Sequence, residues 1–237
     1  MHKFFCLFST VLCCLIWPVS VAGQLRLNWV PRGDLNTGLP TGIRIFEAND
    51  PNLPLRAWCA KADLADSDWI FDVLKSENGK NVAEFAAQAN SFVAINGGFF
   101  YYSADQCVSV SLVIRDGKTL ASNIGSLNRS GVVYYPTRAA FGLLAGNQPD
   151  AAWIYNVQGT QYAYPAPSPI VEGIPQPQPK ADFPYGGYPW NKSMAIGGGP
   201  LLVKDGASKV TWEEEVFFGS GIDLNTPDPR TAIGYTA

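Results

Sequence analysis

Two stretches of this chain follow one plan. Gly97-Gly98 lies upstream of Leu112-Val113-Ile114-Arg115 and Asp116-Gly117, and Gly197-Gly198-Gly199 lies upstream of Leu201-Leu202-Val203-Lys204 and Asp205-Gly206. An Asp-Gly pair after an apolar run supplies the positive φ angles of a two-residue loop, so each copy predicts an antiparallel hairpin. A third hairpin is predicted where residues 139–145 and 151–157 flank Gly146-Asn147-Gln148-Pro149-Asp150. The repetition fits an internal duplication or two unrelated hairpins. Glycine inside an apolar run weakens a strand, so A-I-N-G-G-F-F at 94–100 marks a place where another backbone or a ligand comes close.

One segment is periodic in the helical sense. Asn81 precedes Val82, Phe85, Ala86 and Ala89, apolar at i, i+3, i+4 and i+7, which predicts an amphipathic helix ending near Asn90. Phe92-Val93-Ala94-Ile95 then reads as a buried strand aimed at the glycine pair. Residues 43–46 and 55–60 read as early strands, and 69–74 as a strand or short helix. Residues 23–41 form a polar, turn-rich lead-in, with structure expected from Gly42.

The first residues read as an export leader: Lys3, an apolar run from Phe4 to Trp17, then Ser20-Val21-Ala22 as a small-residue cleavage pattern. Residues 1–22 are therefore expected to be a signal peptide and the mature chain to be secreted or periplasmic, with no stable membrane insertion. The run is interrupted by Pro18 and is short of the roughly 20 apolar residues that a span needs. The one histidine, His2, leaves with the leader, which excludes Ser-His-Asp and Cys-His nucleophile pairs and His-containing zinc sites. No metal or cofactor is expected. Of the five cysteines, Cys59 and Cys107 remain. In an oxidising compartment they most simply form a disulfide, the alternative being two buried thiols. The net charge is −3 and the basic residues are scattered, which disfavours a nucleic-acid partner.

Residues 164–191 differ from their surroundings, carrying prolines at 165, 167, 169, 175, 177, 179, 184 and 189. Proline removes the backbone donor that helices and central strands need, so a long surface loop is predicted, either a solvated insertion or an aromatic lid.

The helix K-N-V-A-E-F-A-A-Q-A-N, the run F-V-A-I-N-G-G-F-F, S-L-V-I-R-D-G-K after Cys107, G-G-G-P-L-L-V-K-D-G, and P-R-T-A-I-G-Y-T at 229–236 together resemble the phosphodiester glycosidase family. That family includes exported bacterial proteins and the enzymes that remove N-acetylglucosamine from a phosphodiester. The resemblance covers residues 42–237 and implies one α/β domain of the α+β-like kind, a twisted, mixed, strand-rich sheet with few helices. It implies a hydrolase that cleaves the bond between sugar and phosphate, acting on a sugar-phosphate or cell-envelope glycan. By the same resemblance Asn96 and Arg230 belong to the catalytic site, while Gly97, Gly98, Gly197, Gly198, Gly199 and Thr231 line the substrate cavity. The chemistry fits: Arg230 offers a planar fork of donors to phosphate oxygens, and glycine-rich turns expose amides without side-chain bulk.

The family pattern continues past R-T-A-I-G into a further strand and an acidic N-L-D-G-G-G-type segment. The resemblance therefore predicts a C-terminally incomplete domain with weak or no activity, poor solubility, and an exposed apolar edge strand at 231–235. A carboxyl donor is expected for glycosidic cleavage. Asp105, Glu172, Asp223 and Asp228 are the candidates, and Glu213–Glu215 reads as a solvated charge run. The competing reading is a non-catalytic carbohydrate-binding protein in which Tyr185, Tyr188 and Trp190 stack on sugar rings.

Overall fold

A computed structural model describes residues 27–53 and 55–236. The leader expected at 1–22, with its three cysteines, lies outside the described residues. Ordered structure starts earlier than Gly42: β1 (Val30–Pro31) pairs with β2 (Ile43–Asp50) across the short helix α1 (Gly33–Asn36). The polar residues of the lead-in act as clamps. The Asn36 side chain donates to the Ile45 carbonyl at 3.0 Å and accepts from the Ile45 amide at 2.8 Å, and Arg32 bridges Asp34 and Glu47. β3 (Leu55–Ala62) completes this three-stranded sheet, in the two places where apolar runs predicted strands.

α2 (Val82–Ala89) forms where the periodicity placed it. Asn81 and Glu84 make a reciprocal capping box, satisfying two N-terminal amides, and Asn90 ends the helix in the left-handed conformation. None of its residues is buried. Residues 69–74 form neither strand nor helix, although Trp69 and Val73 are buried.

β4 (Phe100–Ser103) and β5 (Gln106–Ser109) form a hairpin over Ala104 and Asp105. β6 (Val113–Arg115) and β7 (Lys118–Ala121) form the predicted Asp116-Gly117 hairpin, with φ of 50° and 72° in the loop. β8 (Leu127–Arg129) and β9 (Val132–Tyr134) make a hairpin that the sequence reading did not anticipate. β10 (Arg138–Leu143), β11 (Pro149–Val157), β12 (Thr160–Tyr164), β13 (Tyr188–Pro189) and β14 (Met194–Gly197) follow, and β15 (Val203–Lys204) with β16 (Ala207–Ser208) forms the second Asp-Gly hairpin.

The main sheet runs β13-β12-β11-β10-β14-β6-β7. Among the described residues the result is the expected strand-rich, twisted sheet with two short helices, in one domain. The sheet is not mixed as expected: every strand pairing among the described residues is antiparallel, the geometry that short hairpin connections dictate. One face buries Leu112, Ile114, Ala140, Ile154, Ala195 and Trp190, and the other packs Val113, Phe141, Met194 and Ile196 against Val73. Leu112 and Ile154 are fully buried, each stabilising by roughly 1.5–3 kcal/mol relative to exposure.

The proline-rich stretch is a long connection, as predicted, but it packs closely. Ile170 and Ser168 are buried, and the Tyr164 hydroxyl donates to the Lys180 carbonyl at 2.7 Å. Tyr188–Pro189 serves as an edge strand, the sheet position where proline is tolerated.

Candidate functional site

The two glycine clusters meet. Gly98 sits against the Gly197 carbonyl and the Ser111 side chain so tightly that a Cβ on Gly98 would fall 2.5 Å from Ser111 Cβ and Oγ. A Cβ on Gly197 would fall 2.5 Å from the Leu112 amide and 2.6 Å from Asn123 Oδ1. These two positions are glycine because three segments share one contact. Gly199 has a φ of +109°, the region that disfavours side chains, and Gly198 has open space where a side chain would stand. Close packing thus accounts for the first glycine of the triplet and backbone conformation for the third. The second faces outward.

Polar side chains hold this contact. The Phe99 amide donates to Ser111 Oγ at 2.8 Å, and buried Asn123 accepts from the Leu112 amide at 2.8 Å while donating to the Arg138 carbonyl at 3.1 Å. The Gly197 and Gly198 amides donate to the Leu112 and Ala139 carbonyls. Among the described residues, the amides of Gly97, Gly98 and Gly199 meet no protein acceptor. They are backbone donors without a protein partner.

The Thr231 hydroxyl donates to Asn96 Oδ1 at 2.5 Å, joining two of the motif segments. Arg230, next to it, turns its guanidinium to Asp228 at 3.1 Å with both side chains about half exposed. Asn96, Thr231 and the glycines are therefore brought together, whereas the Arg230 fork is engaged by its own neighbour. Asn96, Gly97 and Thr231 are exposed and Gly98, Gly198 and Gly199 half-buried, so the wall is a shallow surface feature. An apolar hollow lined by Trp29, Phe46, Cys59 and Lys61 lies elsewhere, on the three-stranded sheet.

Several expectations are corrected. Phe92-Val93-Ala94-Ile95 is not a buried strand: no strand lies beside it, and Phe92 and Ile95 are about half exposed. Residues 231–235 are not an edge strand. They are held by side chains instead, through the Thr231 bond and the Tyr235 ring 6.2 Å from that of Phe141. Cys59 and Cys107 stand as free thiols on two separate small sheets, Cys59 exposed on β3 and Cys107 half-buried on β5. Trp190 is 2% exposed and its indole donates to Asp150 at 2.7 Å, so it stacks on no ligand; Tyr185 and Tyr188 are exposed.

Glu215 is the largest departure, fully buried where a solvated run was expected. Its Oε1 accepts from the Leu201 amide at 2.8 Å, the Thr211 hydroxyl at 2.6 Å and the Trp153 indole at 3.2 Å, and its Oε2 from the Ala139 amide at 2.8 Å. Burial pushes its carboxyl above the ordinary range, and the Thr211, Ala139 and Leu201 hydrogen bonds and Arg138 oppose that shift. Arg138 is in turn pulled down to about 10 by burial, and its guanidinium lies 4.1 Å over the Phe217 ring. The spacing Thr211 to Glu215, followed at once by Val216-Phe217-Phe218, was the available signal: an acid abutting an apolar run is placed at the core boundary.

The other carboxylates are committed or remote. Asp223 accepts from the Asn225 and Thr226 amides and the Thr226 hydroxyl, whose hydrogen bonds hold its carboxyl below the usual range. Asp228 is paired with Arg230, Asp105 occupies the β4–β5 turn, and Glu172 is exposed. Among the described residues no helix is long and apolar enough to cross a membrane, and no cluster of metal-ligating side chains occurs. Comparisons of the chain with protein-family models, curated proteins and solved structures find no match.

Proposed function

We propose that the chain is an extracytoplasmic hydrolase of the phosphodiester glycosidase type, acting at the bond between sugar and phosphate of a sugar-1-phosphodiester, with N-acetylglucosamine as the sugar. The observation that carries the reading is the Thr231–Asn96 hydrogen bond beside the open amides of Gly97, Gly98 and Gly199. A carboxamide and a hydroxyl suit sugar hydroxyl or acetamido groups, and clustered amides suit phosphate oxygens. Arg230 needs only to exchange Asp228 for a ligand phosphate to add a bidentate contact. The phosphate leaves as a weak base, so departure requires no strong general acid.

The same site favours a second reading, a sugar-phosphate binding protein without turnover. Each carboxylate near the wall is already engaged: Asp228 by Arg230, Asp223 by its own turn, Glu215 by four buried donors. One experiment separates the two. Purified 23–237 protein is incubated with methyl N-acetylglucosaminyl phosphate, and released sugar and ligand affinity are both measured, for the parent and for Arg230→Ala. Sugar release abolished by the substitution supports the hydrolase. Binding without release supports the second reading, a parent protein that does neither removes both, and an unaffected Arg230→Ala removes Arg230 from the site.

A further inference from the structure

We propose that Glu215 is a positioning residue of this site: its carboxylate touches no ligand and fixes the turn that presents Gly198 and Gly199. The inference rests on reading those glycines as a ligand-binding wall. The turn is pinned at two points. Before it, the Gly198 amide donates to the Ala139 carbonyl at 3.0 Å. After it, Pro200 has no amide hydrogen, so the first available donor is Leu201, and that donor goes to Glu215 Oε1 at 2.8 Å. Oε2 takes the amide of Ala139, the residue whose carbonyl holds Gly198. The carboxylate therefore ties the Leu201 end of the turn to Ala139 of β10, the residue whose own carbonyl holds the Gly198 end.

The fit extends to Gly199. A Cβ there would strike Glu215 Oε2, so the glycine and the carboxylate occupy complementary space. Thr211 and Trp153 complete the acceptor capacity of Oε1, leaving no oxygen facing solvent. Oε2 accepts from the Ala139 amide alone, but the side chain is completely buried, which keeps it from contact with a ligand and leaves orientation of the backbone as its role.

Glu215→Gln tests this, since the amide keeps the volume but converts one acceptor into a donor facing a buried N–H. Backbone amide exchange and titration with N-acetylglucosamine 1-phosphate are followed by NMR on the 23–237 protein. We expect exchange at Gly198 and Leu201 to accelerate at least tenfold while Ser193, bonded to Leu143 at the other end of β14, is unchanged, and Kd for the ligand to rise about tenfold. Glu215→Asp, which keeps the charge, is expected to recover part of both effects, and it carries the comparison should the glutamine variant fail to fold. Equal acceleration at Ser193 and Gly198, or an unchanged Kd with Gly198 still protected, would overturn the proposal. If the parent protein binds no N-acetylglucosamine 1-phosphate, the functional reading fails, and the contrast between Gly198 and Ser193 still decides whether Glu215 positions the turn.

Discussion

The Thr231 hydroxyl and the Asn96 carboxamide oxygen lie 2.5 Å apart although 135 residues of chain separate them. Replacing Thr231 with Val keeps the shape and deletes the donor. Because both residues are exposed, stability is expected to fall by less than about 1 kcal/mol. Affinity for N-acetylglucosamine 1-phosphate is expected to fall about tenfold as Asn96 loses its orientation. Thermal melting and calorimetric titration of the variant check the two halves, and unaltered affinity would show that the pair does not serve the ligand.

Gly98 and Gly198 should respond in opposite ways to alanine. At Gly98 the added methyl collides with the Gly197 carbonyl and Ser111, and the fold is expected to lose about 1–3 kcal/mol. At Gly198 the methyl meets nothing within 4 Å, so stability stays within about 0.5 kcal/mol while the methyl intrudes on the ligand's space. Denaturant unfolding of both variants, with ligand titration of the second, reads the contrast.

Tyr164 carries the proline-rich stretch. Its ring is 1% exposed, its hydroxyl holds the Lys180 carbonyl, and burial pushes its ionisation up to about 12. Tyr164→Phe is expected to cost about 1 kcal/mol at neutral pH. A raised phenol pKa means that the unfolded chain releases its proton first. The hydroxyl's contribution is therefore complete below pH 10 and lost as pH rises through about 12. Unfolding titrations of the two proteins across that window should converge; a constant gap would refute the assignment.

The helix α2 is held by its cap more than by packing, since none of its residues is buried. Asn81→Ala removes the side-chain oxygen that accepts from the Glu84 amide, an expected loss of about 1 kcal/mol of helix stability. Faster amide exchange confined to 82–89, with little change in global unfolding, is the expected result.

The Asp-Gly hairpins and the helix were legible because their causes are local. Asp116-Gly117 and Asp205-Gly206 adopt the positive φ angles that their loops need, and Asn81 with Glu84 caps the helix that apolar spacing foretold. The same local logic failed for Phe92-Val93-Ala94-Ile95 and for residues 231–235, where strand-like composition meets no pairing partner. A strand is a property of two segments, and sequence pattern describes one. Glu215 was misread for a related reason: Glu213-Glu214-Glu215 looks uniform along the chain, yet only the third reaches Leu201, Ala139 and Trp153. The glycine positions were legible as a group. Their division into packing glycines and an outward-facing one required the neighbours.

The distance along the chain between Asn96 and Thr231 has a consequence for assembly. Contacts between residues far apart in sequence form slowly, because the entropy of closing the intervening loop is lost before the contact stabilises anything. A chain still emerging from the ribosome presents the Asn96 segment long before Thr231 exists to meet it. The proposed ligand-binding surface thus closes after the hairpins encoded between these two residues, and under that reading ligand binding reports on this later closure rather than on hairpin formation.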